Sequence, residues 1–259
     1  MKALGFIAVL ITGVLLLSAV GDFPAWGDTQ SPASQSEISR HFISEAEAET
    51  AVPNMVTAVL ADYRGYDTMF ETVVIFTAGI AIIGILGMGR LSDPESLDPQ
   101  PETEAGDRDM IVINTCRLLI PVMQLFALYV VAHGHHSPGG GFQGGVILGA
   151  SFILWALARD LPTALQRIKP RRMILLACIG VLIYAGAGVV CMLMDGKLLD
   201  YSALAAFMPE AAVDAPSNDI MARSHGMLIV EVGVAFTVSA IMFGIYTYLS
   251  SMGRLKGGL

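Results

Sequence analysis

Charge is scarce in this sequence. Of 259 residues, 15 are Lys or Arg and 23 are Asp or Glu, 15% in all against 54% hydrophobic. The net charge of −8 argues against a nucleic-acid partner, because no basic stretch is dense enough to neutralise phosphates. Cysteine is sparse too. Cys116, Cys178 and Cys191 lie in or at the ends of apolar runs, without CxxC spacing. They read as small buried hydrophobes, with no disulfide or metal framework. A glycine-rich nucleotide loop, a CxxCH haem attachment and iron–sulfur spacing are all missing. No nucleophile–base pair stands out either. Ser137 is near His133 and His135, but no orienting group or oxyanion site accompanies them, so a hydrolase is not expected.

What the chain has is apolar length. Mean hydropathy is +0.63, and six runs are long enough, or nearly so, to cross a bilayer as helices. They are Leu4–Val20, Thr72–Met88, Ile111–Ala132, Val146–Ala158, Met173–Met194 and Met227–Leu249. The fourth is short unless Phe142 to Gly145 belong to it. The expected fold is therefore all-α, a multi-pass membrane protein with about six transmembrane helices. Met1 to Gly21 reads either as a signal peptide, with small residues after an apolar core, or as an uncleaved first span. Retention is the expectation.

The most unusual stretch is His133-Gly134-His135-His136-Ser137-Pro138-Gly139-Gly140-Gly141-Phe142-Gln143-Gly144-Gly145. Three of five histidines crowd into four positions between two apolar runs. Pro138 fixes φ and Gly139 to Gly141 supply backbone freedom for a tight re-entry. Gly145 and Gly149 make a small-xxx-small pair suited to close helix approach. The histidines can converge on Zn²⁺, but no carboxylate or cysteine lies beside them, so no metal site and no cofactor is expected.

Other ionisable residues sit where an apolar span makes them expensive. Asp62, Arg64, Asp67 and Glu71 crowd a charged, aromatic segment just before the second run. This is either a membrane-interface collar or a polar cluster that enters the membrane. Arg117 and Gln124, seven apart, share a helix face around Pro121. Arg117 either snorkels to headgroups or faces an ion route. Glu231 lies about one turn into the last run and heads a stripe with Ala235, Ser239, Met242 and Tyr246. A carboxylate there is a functional candidate, or else a structural hydrogen-bonding group.

Charge asymmetry gives orientation. Arg159, Arg167, Lys169, Arg171 and Arg172 form the one strongly basic loop, which is expected to be cytoplasmic. By alternation the histidine turn, residues 22–70 and residues 195–226 face outside. Both termini, with Lys2, Arg254 and Lys256, and the linker at 91–109 face the cytoplasm. The linker holds three prolines and seven acids and reads as a boundary between modules. Most acids are expected on solvated faces.

Two resemblances are carried by these residues. Leu118-Leu119-Ile120-Pro121 through His133–Gly145, together with Leu228-Ile-Val-Glu231-Val-Gly-Val-Ala235, resembles the B subunit (MnhB-like) of Mrp-type Na⁺/H⁺ antiporters, over roughly 109–249. The same module occurs in membrane-bound hydrogenases. Glu49-Thr50 and Asn54-Met-Val-Thr-Ala-Val-Leu-Ala-Asp-Tyr-Arg-Gly-Tyr-Asp-Thr-Met-Phe-Glu71 resemble the C-terminal part of the Mrp A subunit, and the corresponding small hydrogenase subunit, over roughly 1–89. The resemblance implies two fused modules: 1–90 with two spans, an acidic linker 91–109, and 110–259 with four spans.

It further implies a cell-membrane subunit of a cation/proton antiporter complex, with Na⁺, H⁺, lipid and the other subunits as partners and no catalytic role of its own. The alternative is the equivalent subunit of a hydrogenase-like complex. Ion-path candidates are Asp62, Arg64, Asp67, Glu71, Arg117, His133, His135, Gln143 and Glu231. Ser137, Pro138, Gly139, Gly140, Gly141, Gly144 and Gly145 are the structural motif around them.

The orientation is testable by labelling. A cysteine at Ser137 is expected to react with a membrane-impermeant thiol reagent added to intact cells, and one at Gln166 is not. Reversed labelling would invert the topology.

Overall fold

The computed structural model describes residues 2–92, 110–159, 161–207 and 216–251; side chains of 87–92 and 162 are not described. No strand occurs among the described residues. In chain order the helices are α1 (Lys2–Val20), α2 (Pro32–Gln35), α3 (Glu37–Thr50), α4 (Met55–Ala58), α5 (Gly65–Ser92), α6 (Met110–Ala132), α7 (Gly141–Arg159), α8 (Leu161–Arg167), α9 (Pro170–Leu193) and α10 (Asn218–Ser250). A π-helical turn, Val59–Tyr63, joins α4 to α5, and a 3₁₀ segment, Tyr201–Phe207, lies between α9 and α10. Six of the described helices, α1, α5, α6, α7, α9 and α10, are long and apolar enough to cross a membrane. The expected acidic linker lies outside the described residues apart from its first two positions, as do Arg254 and Lys256.

The chain divides into two compact units after Ser44. In the first, α1 buries none of its residues. Trp26 is fully exposed, as an interface anchor would be. Ser36 caps the start of α3, its Oγ accepting from the Ser39 amide at 3.1 Å.

The second unit is arranged around α10. It packs against α9, α7, α5 and the Tyr201–Phe207 segment, while α6 packs chiefly on α7. Apolar attraction between helices is weak in lipid, so close backbone approach must supply the contact energy. Small residues make that approach possible. A Cβ on Gly145 would lie 3.0 Å from Ala235 Cα and one on Gly149 would lie 3.2 Å from Ser239 Cα. The stripe Ala235–Ser239–Met242 is thus a packing face for α7. On the opposite side, Gly233 of α10 would meet the Gly180 carbonyl at 2.7 Å if it carried a Cβ, and Thr237 donates to the Ala177 carbonyl at 3.1 Å. Tyr184, Met227, Val230, Val234 and Val238 fill the space between.

Three helices run further than the apolar runs alone suggest. α5 begins at Gly65, so Asp67 and Glu71 ride in its first two turns. α7 begins at Gly141, which recruits Phe142 to Gly145 and gives it spanning length. α10 begins at Asn218, nine residues before the apolar run, with Asp219 favourably placed in its first turn. Inside α6, Pro121 has no N–H to give to the Arg117 carbonyl, yet the helix continues through it.

Gly180 and Gly186 lie on the same helix in opposite surroundings. Backbone and Thr237 crowd the first, whereas nothing lies within 4 Å of a Cβ on the second. Gly180→Ala is expected to destabilise the folded protein by roughly 1–3 kcal/mol through overpacking. Gly186→Ala is expected to be neutral or slightly stabilising. Thermal unfolding in detergent compares them, and equal midpoints would contradict the close-packed interface.

Candidate functional site

The histidine turn is held by a segment distant in sequence. Within the turn, the His133 carbonyl accepts from the amides of His136 and Ser137, both at 3.0 Å, and from Ser137 Oγ at 3.1 Å. From outside, Asn54 Nδ2 donates to the carbonyls of Gly134 (2.8 Å) and Ser137 (2.9 Å). The Asn54 amide donates to the His135 carbonyl at 2.9 Å, and Thr57 Oγ1 donates to the Gly134 carbonyl at 2.7 Å. Asn54 can do this because it also caps α4, its Oδ1 accepting from the Val56 amide at 3.1 Å.

The glycines are needed for different reasons. Only Gly140 adopts positive φ, +124°, where a side chain would be strained. The freedom expected of Gly139 and Gly141 is therefore not what those positions use. They are crowded instead: a Cβ on Gly139 would lie 3.0 Å from the Val130 carbonyl, and one on Gly141 would collide with the Glu231 carbonyl. Gly144 and Gly145 are buried likewise against α6 and α10. Pro138 is exposed.

Under the turn sits Glu231. It is 8% exposed, and its Oε2 is buried without a hydrogen-bond partner. Its carboxylate nestles against the turn: a Cβ on Gly134 would lie 2.8 Å from Oε2, and one on Gly140 would lie 2.6 Å from Oε1. A cavity of about 70 Å³ opens beside it, lined among others by Thr57, Thr68, Gln143, Phe142 and Tyr184. Gln143 itself is exposed, at the rim. Phe142 also lines a second, open crevice that contains Arg64, Asp67, Phe70 and Glu71. The two spaces therefore share one aromatic wall.

The three histidines have different surroundings. His133 is exposed and stacks on Tyr129, ring centroids 4.1 Å apart. His136 is exposed. His135 is buried, its Nδ1 3.4 Å from Ser224 Oγ and its Nε2 without a partner. Burial, with the nearby His136 and His225, pushes the His135 pKa below the usual histidine value. His135 is thus held neutral.

A second polar cluster joins the start of α10 to the segment before α5. Arg223 pairs with Asp62, contacting both carboxylate oxygens through Nε and one through Nη2. Its Nη1 donates to the Glu49 carbonyl at 3.0 Å, and its guanidinium lies 5.6 Å from the centre of the Tyr63 ring. Tyr63 donates to Glu49 at 2.5 Å, and burial together with Glu49 drives its pKa up. The π-helical turn, closed by Arg64 N–H to the Val59 carbonyl at 2.8 Å, carries Asp62 and Tyr63. Such turns recur at functional sites.

Of the candidates from sequence, the structure brings Glu231, Gln143 and the glycines to one place, while the His135 ring faces Ser224, seven positions before Glu231 on α10. Asp62 is beside it, committed to Arg223. Arg64 and Asp67 form an exposed pair, with Nε to Oδ2 at 2.7 Å. Glu71 is exposed in the crevice with them. Arg117 is exposed, sixteen positions before His133 along α6, or about 24 Å at helical rise. No group of three or more His, Cys, Asp or Glu residues converges to hold a metal among the described residues.

Sequence reasoning missed Arg223, Asn54, Thr57, Thr68 and Ser224. Arg223 carried a signal: it is an arginine on a flank that charge counting assigns to the outside. The others are short polar residues with no periodic signature.

Residues 111–244 match a family described as domains related to the MnhB subunit of the Na⁺/H⁺ antiporter. Residues 25–102 match one described as the E subunit of MBH. A probable K⁺/H⁺ antiporter A/B subunit of Rhizobium meliloti (strain 1021) is 28% identical over 170 residues, 59% of this chain and 17% of that protein. The chain therefore spans about a sixth of that relative's length. A chain of the Mrp complex from Dietzia sp. DQ12-45-1b superposes with TM-score 0.71 at 23% identity, covering 100% of this chain and 27% of its own. A chain of the membrane-bound sulfane sulfur reductase, an archaeal respiratory membrane complex, superposes with TM-score 0.65 at 21% identity, covering 96% of this chain and 97% of its own. Both share its fold.

The lowered pKa of His135 has a pH consequence. The unfolded chain protonates near the ordinary value of about 6.5, whereas the folded state resists protonation until lower pH. The unfolded state therefore binds the extra proton first on acidification, and the contribution of His135 to stability is complete above about pH 6.5 and lost below it. His135→Gln is expected to flatten the acid side of the melting-temperature profile below about pH 6.5. An unchanged slope would mean that His135 is not the group responsible.

Proposed function

Since this chain belongs to the family of domains related to the MnhB subunit of the Na⁺/H⁺ antiporter, we propose that it is an integral subunit of a multi-subunit monovalent cation/H⁺ antiporter complex. It assembles the complex and lines part of its ion path. The observation that carries the second role is Glu231, a buried carboxylate without a hydrogen-bond partner, seated against a glycine turn within a span. Ionisable groups are costly inside a membrane and are retained there chiefly for function.

In this reading the chain is two fused modules, 1–90 and 110–259, joined by the linker at 91–109. The clusters Asn54–Thr57/Gly134–Ser137 and Asp62/Arg223 are where they are fastened. His133 and Gln143 stand at the outer mouth of the path, and Arg64, Asp67 and Glu71 line a lateral approach. Arg117, far along α6, belongs to the other membrane face. The histidine turn faces outward and both termini face the cytoplasm. The chain performs no covalent chemistry itself. The other members of the complex, Na⁺ and H⁺ are its partners.

The second reading is an equivalent subunit of a hydrogenase-like, redox-linked complex. What favours it is the fold shared along almost the whole length of the sulfane sulfur reductase chain. Redox subunits co-purifying with this chain would establish it.

Glu231→Gln and Glu71→Gln are each expected to lower cation/H⁺ exchange in vesicles by about tenfold or more while the complex stays assembled. Full exchange in an intact complex carrying either change would remove that residue from the path. Full exchange with both would leave the chain a structural subunit.

A further inference from the structure

The cavity beside Glu231 is chemically one-sided. Three hydroxyl-bearing side chains line it, and each has already given its proton to a backbone carbonyl. Thr57 donates to Gly134 (2.7 Å), Thr68 to Leu60 (2.8 Å) and Tyr184 to Gly65 (2.8 Å). Thr57 Oγ1 also accepts from Asn54 Nδ2 at 2.9 Å, which leaves it one lone pair; toward anything inside the cavity the three oxygens can only accept. The Gln143 carboxamide oxygen sits 3.7 Å from the Cβ position of Gly140, the same point that Glu231 Oε1 approaches to 2.6 Å. Glu231 brings two more acceptor oxygens, one of them buried without any partner. The remaining wall, including Val56, Leu60, Ala61, Phe142, Val230 and Val234, is apolar.

Hydroxyl oxygens left only as acceptors, grouped with a buried carboxylate oxygen that has no partner, call for a cation; the donors at the site are the Gln143 amide and the first N–H groups of α7. We propose that this cavity binds a single monovalent alkali cation, Na⁺ or K⁺, held by the Glu231 carboxylate with Thr57, Thr68 and Gln143 as further oxygen ligands. The proposal rests on the reading of this chain as a cation/H⁺ antiporter subunit and names the site in it. One carboxylate balances one positive charge; a divalent ion would leave a net charge buried. About 70 Å³ holds roughly two waters' share of volume, room for an alkali ion with part of its hydration shell. A proton alone would neutralise Glu231 but leave the other oxygens and the space unused. The glycines keep the site open, since a Cβ at Gly134 or Gly140 would press on the carboxylate.

The test uses the purified complex containing this chain. Dicyclohexylcarbodiimide, which reacts with carboxyls in apolar settings, is added at mildly acid pH. Modification of Glu231 is followed by mass spectrometry in choline chloride, NaCl or KCl at equal ionic strength. Glu231 is expected to be labelled in choline and protected severalfold by one or both alkali salts. Protection by NaCl alone identifies Na⁺, by KCl alone K⁺, and by both an unselective alkali site. Thr68→Val, which keeps the side chain's shape, is expected to raise the half-protecting salt concentration about tenfold.

Equal labelling in all three salts would make Glu231 a proton-only group and overturn the proposal. So would the absence of label in choline, which means a sealed carboxyl. Vesicle transport by the same complex separates the two levels. Exchange without protection sinks the site and leaves the antiporter reading, whereas protection without exchange does the reverse.

Discussion

A chain reversal at the edge of a bilayer exposes backbone carbonyls that lipid cannot satisfy. Here the carbonyls of Gly134, His135 and Ser137 are paired by Asn54 and Thr57. The rest of the site depends on that pairing. It lets the turn sit close over α10, and the lack of side chains at Gly134 and Gly140 leaves room for the Glu231 carboxylate. Without those bonds the turn would have to find partners elsewhere, and the cavity would lose its roof. The same threonine that secures the turn also lines the cavity, so scaffold and site share atoms.

Two ionisable residues of α10, eight positions apart, are handled in opposite ways. Arg223 is surrounded by Asp62, Glu49 and the Tyr63 ring. Its charge is balanced, and a bidentate guanidinium–carboxylate contact fixes geometry as well as charge. Glu231 has no ionic or hydrogen-bonding counterpart for Oε2. Balanced charge suits a fastening. Unbalanced charge suits a place where something else arrives and leaves. On the proposed reading, the contrast separates assembly from traffic on a single helix.

The membrane character and the glycine turn were plain in the sequence because apolar length and composition are local properties. Glu231 was legible for the same reason: an acid in an apolar run stands out on its own. The other residues lining its cavity were not, because Thr57 and Thr68 look like ordinary polar residues until the fold brings them to the same space. Arg223 was hidden by the assumption that α10 starts where the apolar run starts. The reason for the glycines was misjudged in part, since only Gly140 needs an unusual backbone and its neighbours answer to crowding across helices. Glu71 and Arg117 were legible as costly residues, but which way each faces depends on packing.

The position of α10 at the centre has a temporal side. It follows the other spans in the chain, so it leaves the ribosome after them. Until then the glycine faces of α7 and α9 have nothing to close against, and Glu231 is not yet under its turn. The earlier spans must wait in the membrane as loosely associated helices, held by α6–α7 contact and little else. The helix that closes the packing of α7 and α9 also delivers Glu231 to its cavity, so before it arrives only the α6–α7 cluster is in place.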